Sequence, residues 1–230
     1  MIVVRQIDEF EELIVNQKRK TLHEYPMGFY QDQIVPLLIN LTMRRQELSD
    51  YRSRVVPAAE GRVLEIGIGS GLNLPFYSHK VERLIGLDPS PKLLSMARRN
   101  LRRNSSSVEL IEGSAEAIPL ENNSVDTVVT TWTLCSIPDA DRALDEMHRV
   151  LKPAGRLLFV EHGRAPEPNV QWWQDHLTPV WKRIGGGCHL NRAIQVLIED
   201  AGFQFDRCET GYIRGPKPLT FMYEGSAQLR

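Results

Sequence analysis

The sequence predicts an α/β fold, doubly wound around a mostly parallel sheet, and three observations carry that expectation. Apolar runs of strand length alternate with amphipathic segments of helical spacing, the pattern of parallel strands joined by crossover helices. The first clear run, Val63 to Ile66, opens into glycines at alternate positions, Gly67, Gly69 and Gly71. The second, Arg83 to Asp88, ends in a carboxylate about twenty residues beyond the first glycine.

Taken in order, residues 1–55 read as a helical lid ahead of a core that spans 56–230. Within that lid Ile7, Phe10, Leu13 and Ile14 recur at helical spacing. They suit a flap over a ligand crevice, or peripheral contact with a membrane surface. After the glycine turn, Asn73 to Lys80 reads as a short helical bridge, and Pro91 to about Arg103 as a helix turning Leu93, Leu94, Ala97 and Leu101 inward. Its Arg98, Arg99, Arg102 and Arg103 form a solvated face near the negative end of the helix dipole. Val108–Glu112 and Val125–Thr130 read as the third and fourth strands. A helix begins near Asp139 and is expected to end at Lys152-Pro153-Ala154-Gly155, before a fifth strand, Arg156 to Glu161. A mostly helical insertion, 169–200, is interrupted by Gly185-Gly186-Gly187, and Phe203–Glu209 and Leu219–Tyr223 read as final strands. No repeat or low-complexity linker divides the chain, so one domain is expected.

Composition narrows the function classes. The chain has 230 residues and a net charge of −1, which argues against a nucleic-acid footprint. Its apolar runs are too short to span a bilayer, and its N-terminus lacks the form of a signal peptide. Three separated cysteines form neither a disulfide framework nor a zinc pattern, and no two of the six histidines stand four residues apart. No metal and a cytoplasmic setting are expected. Oligomeric state has no signal in the sequence.

The glycine turn separates two ligand classes. A dinucleotide fingerprint from Gly67 would need a small residue at 72, where the chain has Leu72. What stands there is Glu65-x-Gly67-x-Gly69-x-Gly71. Asp88, at the end of the neighbouring strand, suits two ribose hydroxyls, and Asp88-Pro89-Ser90 also suits a helix start; both roles are compatible.

With these motifs the chain resembles the class I S-adenosylmethionine-dependent methyltransferases. Gly113-Ser114-Ala115-Glu116-Ala117-Ile118-Pro119-Leu120, Ser124-Val125-Asp126 and Arg149-Val150-Leu151-Lys152-Pro153-x-Gly155 extend the likeness. The resemblance implies a Rossmann-like, seven-stranded sheet and S-adenosyl-L-methionine as cofactor. It places Glu65, Gly67, Ile68, Gly69, Gly71, Asn73, Asp88, Pro89, Ser114, Ala115, Glu116 and Thr131 around that cofactor, with Tyr30 from the lid. Most relatives carry Asp where this chain has Ser114, so a hydroxyl replaces the usual carboxylate toward adenine and Glu116 stands nearby to compensate. A narrower likeness, through Leu134-Cys135-Ser136, Glu161-His162, Trp172-Trp173-Gln174 and Pro179-x-Trp181-Lys182-x-Ile184-Gly185-x-Gly187-Cys188-x-Leu190-x-Arg192, is to the methyltransferase-like alkyl-thiol S-methyltransferases. Those carry a hydrophobic N-terminal membrane anchor. Tyr25-Pro26-Met27-Gly28-Phe29-Tyr30 instead resembles the lid of soluble bacterial relatives.

Methyl transfer asks an enzyme to align a nucleophile, exclude water and sometimes remove a proton. Thr131, Trp132 and Thr133 follow the fourth strand and Glu161, His162 and Gly163 close the fifth, at the edge where such folds bind ligands. His162 and Trp132 are the expected acceptor-side residues, with His162 the proton acceptor or orienting group. His176, Asp175 and His189 are secondary candidates. Trp172, Trp173, Trp181, Phe29 and Tyr30 either wall an apolar pocket or pack helix on sheet. Cys188 reads as a buried or pocket-lining thiol. The expected activity is methyl transfer to a small, fairly apolar acceptor, thiol sulfur ahead of O-, N- or C-methylation of a phenol, quinone precursor or lipid head group. A nicotinamide-dependent oxidoreductase and a non-catalytic cofactor-binding module are the readings from other classes.

Overall fold

The computed structural model describes residues 35–101 and 108–230. Two helices, α1 (Val35–Thr42) and α2 (Gln46–Val55), lead into β1 (Gly61–Ile66). There follow β2 (Val81–Asp88), α3 (Pro91–Leu101), β3 (Val108–Glu112), β4 (Val125–Thr131) and α4 (Ala140–Val150). The chain ends with β5 (Leu151–His162), α5 (Pro168–Ile184), α6 (Ile194–Asp200), β6 (Phe203–Tyr212) and β7 (Phe221–Leu229). The seven strands form one sheet in the order β3-β2-β1-β4-β5-β7-β6. β1 to β5 pair in parallel, and β7 runs antiparallel to both β5 and β6. The strand order reverses between β1 and β4, so the carboxyl ends of β1, β2 and β4 border the crevice where such sheets take ligands.

Burial explains the continuous apolar strands. Leu64, Ile66, Ile85, Leu87, Val128, Leu157 and Phe159 pack on one face with Ala143, Leu144 and Met147 of α4. Val63, Leu84, Val129, Leu158, Val160 and Met222 fill the other, with Val55 from α2. A central strand covered on both faces has no polar side to alternate. Each fully buried Leu or Phe contributes about 1.5–3 kcal/mol. Asp139 caps α4, its carboxylate accepting from the Arg142 amide at 3.1 Å.

The structure corrects several sequence expectations. The bridge after the glycine turn is a single 3-10 turn, Leu74–Phe76, since Pro75 and the strand start at Val81 leave little chain for a helix. The Lys-Pro-Ala-Gly segment lies inside β5: Leu151 already pairs with Val125, and a register shift absorbs the next residues. The last strand begins at Phe221, after a 3-10 turn at Lys217–Leu219, and continues to Leu229, beyond the expected end at Tyr223. Its interior Gly225 carries no Cβ because one there would stand 2.0 Å from the Arg207 carbonyl oxygen. Trp172 and Trp173 are about half exposed, so they pack on no sheet; they belong to an outward apolar face of α5 with Leu177, Val180 and Ile184. Of the expected lid, α2 is fastened to the sheet, Arg54 reaching both Glu224 oxygens at 3.0 and 3.1 Å. Ile7, Phe10, Leu13, Ile14, Phe29 and Tyr30 lie outside the described residues, as do Arg102 and Arg103.

Candidate functional site

At the carboxyl end of β1, the glycine turn is held by side chains around it. Gly67, Gly69 and Gly71 all adopt positive φ, +69°, +58° and +80°. Only at Gly69 would an added Cβ meet nothing closer than 3.8 Å, so the turn leaves a cradle open above that residue. At Gly67 the same atom would stand 2.2 Å from Thr133 Oγ1, which shows how closely the turn lies against the end of β4. Asp88 is buried, its Oδ2 accepting from the Gly69 amide at 2.9 Å and its Oδ1 from the Ser90 amide at 2.8 Å. Burial pushes its carboxyl up to about 6, against the pull of those two amides. The helix-start role is thus present in the structure, and the same carboxylate positions the cradle. Pro89 follows it on the exposed surface.

Behind the turn lies a buried polar network. Asn73 donates to Glu65 Oε1 at 2.8 Å and to Thr131 Oγ1 at 3.0 Å, and accepts from Arg52 Nε at 3.0 Å. Tyr77 donates to Glu65 Oε2 at 2.8 Å. Burial raises Glu65 to about 7, while Tyr77, Asn73 and Arg52 oppose the rise. Glu65 and Asn73 therefore brace the turn through these side-chain hydrogen bonds. The Ile68 side chain is buried over Gly86, where any Cβ would lie 2.2 Å from Ile68 Cδ1. Ala115 belongs to the core, and Ser114 Oγ and Glu116 Oε2 lie 3.1 Å apart. Glu116 Oε1 also accepts from the Asp139 amide at 2.8 Å, joining this segment to the start of α4. Arg52, Tyr51 and Tyr77 went unassigned in the sequence. They stand outside every motif, and only the tertiary fold brings them here.

Trp132 and His162 stand at the ends of adjacent strands, each with its own partners. Trp132 takes the left-handed conformation, φ +52°, which costs a non-glycine residue about 1–2 kcal/mol. Its amide donates to Val160 O at 2.7 Å; its ring meets Tyr51 edge-on and lies under the Arg52 guanidinium at 4.7 Å. His162 is buried, its Nδ1 3.9 Å from Cys188 Sγ. Its Nε2 has no hydrogen-bond partner among the described residues. Beneath it Glu161 is fully buried and accepts from the Thr130 hydroxyl (2.8 Å), the Thr133 amide (3.0 Å) and the Cys135 amide (3.4 Å). Burial pushes Glu161 up to about 7 against these donors. His176 and Asp175 fall away from this end: His176 stacks on Trp172, and Asp175 pairs with Arg164 and Asn191 on the exposed side of α5. His189 Nδ1 meets the Cys135 carbonyl at 3.2 Å.

A Methyltransferase domain model matches residues 64–159. The chain is 32% identical over 188 residues to human thiol S-methyltransferase TMT1B, covering 79% of this chain and 74% of that protein. It is 36% identical over 109 residues to a phosphatidylethanolamine N-methyltransferase of Cereibacter sphaeroides, covering 46% of this chain and 53% of that one. A crystal structure of a SAM-dependent methyltransferase from Thermotoga maritima, described as a possible histamine N-methyltransferase, shares the fold. It is 22% identical, with a TM-score of 0.63 over 88% of this chain and all of that one. The chain belongs to the class I S-adenosylmethionine-dependent methyltransferases. It is an S-adenosylmethionine-dependent enzyme with a seven-stranded Rossmann-like sheet. Among the described residues no helix is long and apolar enough to cross a membrane.

Two substitutions separate the roles of Asp88. Asp88→Ala removes an acceptor from the Gly69 amide as well as any ribose contact, and is expected to weaken S-adenosylhomocysteine binding by about 1.5–3 kcal/mol, roughly ten- to a hundredfold. Asp88→Asn keeps one acceptor oxygen for the turn and loses the charge, so a ribose contact requires it to lose affinity too. Calorimetry on both proteins checks this. An Asn variant of undiminished affinity would leave Asp88 only the turn.

Proposed function

We propose that this enzyme methylates the sulfur of a small, fairly apolar thiol. One observation carries the reading: His162 keeps a buried Nε2 without a hydrogen-bond partner at the carboxyl end of β5. A buried imidazole nitrogen left open costs free energy unless a ligand's proton engages it. The long match to a thiol S-methyltransferase supports sulfur over the nitrogen acceptor of the shorter match. Bound S-adenosylmethionine supplies a methyl group already activated by its sulfonium. The backbone at Gly69 then admits the cofactor, and Asp88 receives its ribose hydroxyls. Ser114 and Glu116 stand toward the adenine, and Thr131 and Trp132 border the crevice. His162 accepts or orients the thiol proton, and a modest depression of the thiol pKa is enough to supply thiolate.

The first test is S-adenosylhomocysteine release from purified enzyme against small thiols, phenols, amines and lipid head groups. Thiols are expected to give the highest kcat/KM, and preference for any other class would overturn the proposal. His162→Ala should keep cofactor affinity and lower turnover about a hundredfold if His162 acts as a general base. Raising the pH should recover part of that loss by supplying thiolate from solution. Wild-type turnover across pH would make His162 structural.

A further inference from the structure

We infer that Cys188 and Cys135 form a thiol–disulfide exchange site, which takes up small disulfides and closes reversibly into a Cys135–Cys188 disulfide. They come from distant parts of the chain, one after β4 and one after α5, and several contacts lock the two loops together. The His189 amide donates to the Cys135 carbonyl at 2.7 Å. Arg192 Nη1 donates to the Leu134 carbonyl and, at 2.7 Å, to the Ile137 carbonyl, clamping both sides of Cys135. Gly187, at φ +87°, lies so close to the first loop that a Cβ there would stand 3.1 Å from the Ser136 carbonyl. Cys135 is buried and Cys188 is partly open to solvent.

The two thiols differ in the way exchange requires. Their mutual interaction is the largest influence on each, raising Cys135 and lowering Cys188. Burial and the Glu161 carboxylate push Cys135 up further; burial also opposes the Cys188 thiolate, but His162 and Trp181 assist it. A partly open cysteine whose thiolate is assisted, beside a buried one held protonated, is the arrangement of an attacking and a resolving cysteine.

The chemistry balances with a low-molecular-weight disulfide, RSSR, as oxidant. Cys188 gives up its proton to solvent, and its thiolate, facing His162 Nδ1 at 3.9 Å, attacks one sulfur of RSSR. The S–S bond breaks, and the first RS⁻ leaves, taking a proton from solvent to become RSH. Cys135 then attacks Cys188 Sγ in the mixed disulfide, and the second RS⁻ leaves with the Cys135 proton. RSSR has gained two electrons and become two RSH; the cysteine pair has lost two and become a disulfide, which a dithiol reductant reopens. The reaction needs neither S-adenosylmethionine nor a methyl acceptor, so its test is independent of the proposed methyl transfer.

That test uses the full chain and oxidised glutathione as probe. After incubation, free thiols are blocked with iodoacetamide and the protein is digested and weighed. The expected product is a Cys135–Cys188 cross-linked peptide with Cys208 still alkylated, and dithiothreitol reverses it. Cys135→Ser should stop at glutathione on Cys188, and Cys188→Ser should yield neither species. If the Cys135 variant misfolds, alkylation rates in the wild type decide: Cys188 should react on the order of tenfold faster than Cys208, whose thiol burial raises. Unlinked cysteines in the oxidised wild type, or glutathione on Cys208 in preference to Cys188, would overturn the inference.

Discussion

In a Gly69→Val variant, affinity for S-adenosylhomocysteine is expected to fall at least about a hundredfold while the protein still unfolds cooperatively. The two halves of that result have separate causes. Gly69 holds φ +58°, so a side chain costs about 1–2 kcal/mol of backbone strain, a melting-temperature loss of about 2–8 °C for a chain this long. A Cβ at this position meets nothing closer than the Gly67 carbonyl at 3.8 Å, so the side chain branches into open space rather than into the core. It fills the cradle above the turn, where the cofactor's contact with the backbone is proposed. Gly67→Ala is the contrasting variant: its methyl collides with Thr133 at 2.2 Å, and its damage should appear first as lost stability. Calorimetry and thermal melting on both proteins check the pair. A Gly69→Val protein of normal affinity would reduce the glycine turn to a shape in the chain.

The same turn shows which parts of the site were legible in the sequence. Three glycines after an apolar run announce a backbone that must turn and be approached closely, because no other residue takes those angles freely. Asp88 was legible for a related reason: parallel strands side by side fix where the second one ends. Side-chain direction was not legible. Glu65 and Asn73 lie within the motif, yet both point into a network closed by Tyr77 and by Arg52 of α2. Spacing along the chain carries no information about a helix that returns from elsewhere. The segment boundary at 151–155 misled for a different reason. Pro and Gly usually break elements, but Leu151 pairs with Val125 and a register shift accommodates both. The seven-strand count came from family likeness, since β6 and β7 have few uninterrupted apolar runs.

Removing Glu161 should cost the fold several of its buried hydrogen bonds at once. Glu161→Ala takes the acceptor away from the Thr133 and Cys135 amides and the Thr130 hydroxyl, all beneath the loop that leads to Cys135. Unsatisfied buried donors cost about 1–3 kcal/mol each, so a loss of about 3–5 kcal/mol in urea denaturation is expected. Glu161→Gln isolates the charge. Burial raises the folded-state carboxyl of Glu161 to about 7, above the ordinary value of 4.5, so folding favours its protonated form. Stability from this group is fully present below about pH 4.5 and is lost as pH rises to about 7. The glutamine does not titrate. Between pH 4.5 and pH 8 the stability difference should therefore move in favour of Glu161→Gln by up to about 3 kcal/mol. Glu65 and Asp88, also raised by burial, titrate in both proteins and cancel from the comparison. Parallel stability curves across that range would mean that the donors around Glu161 hold it ionised in the folded chain at every pH tested.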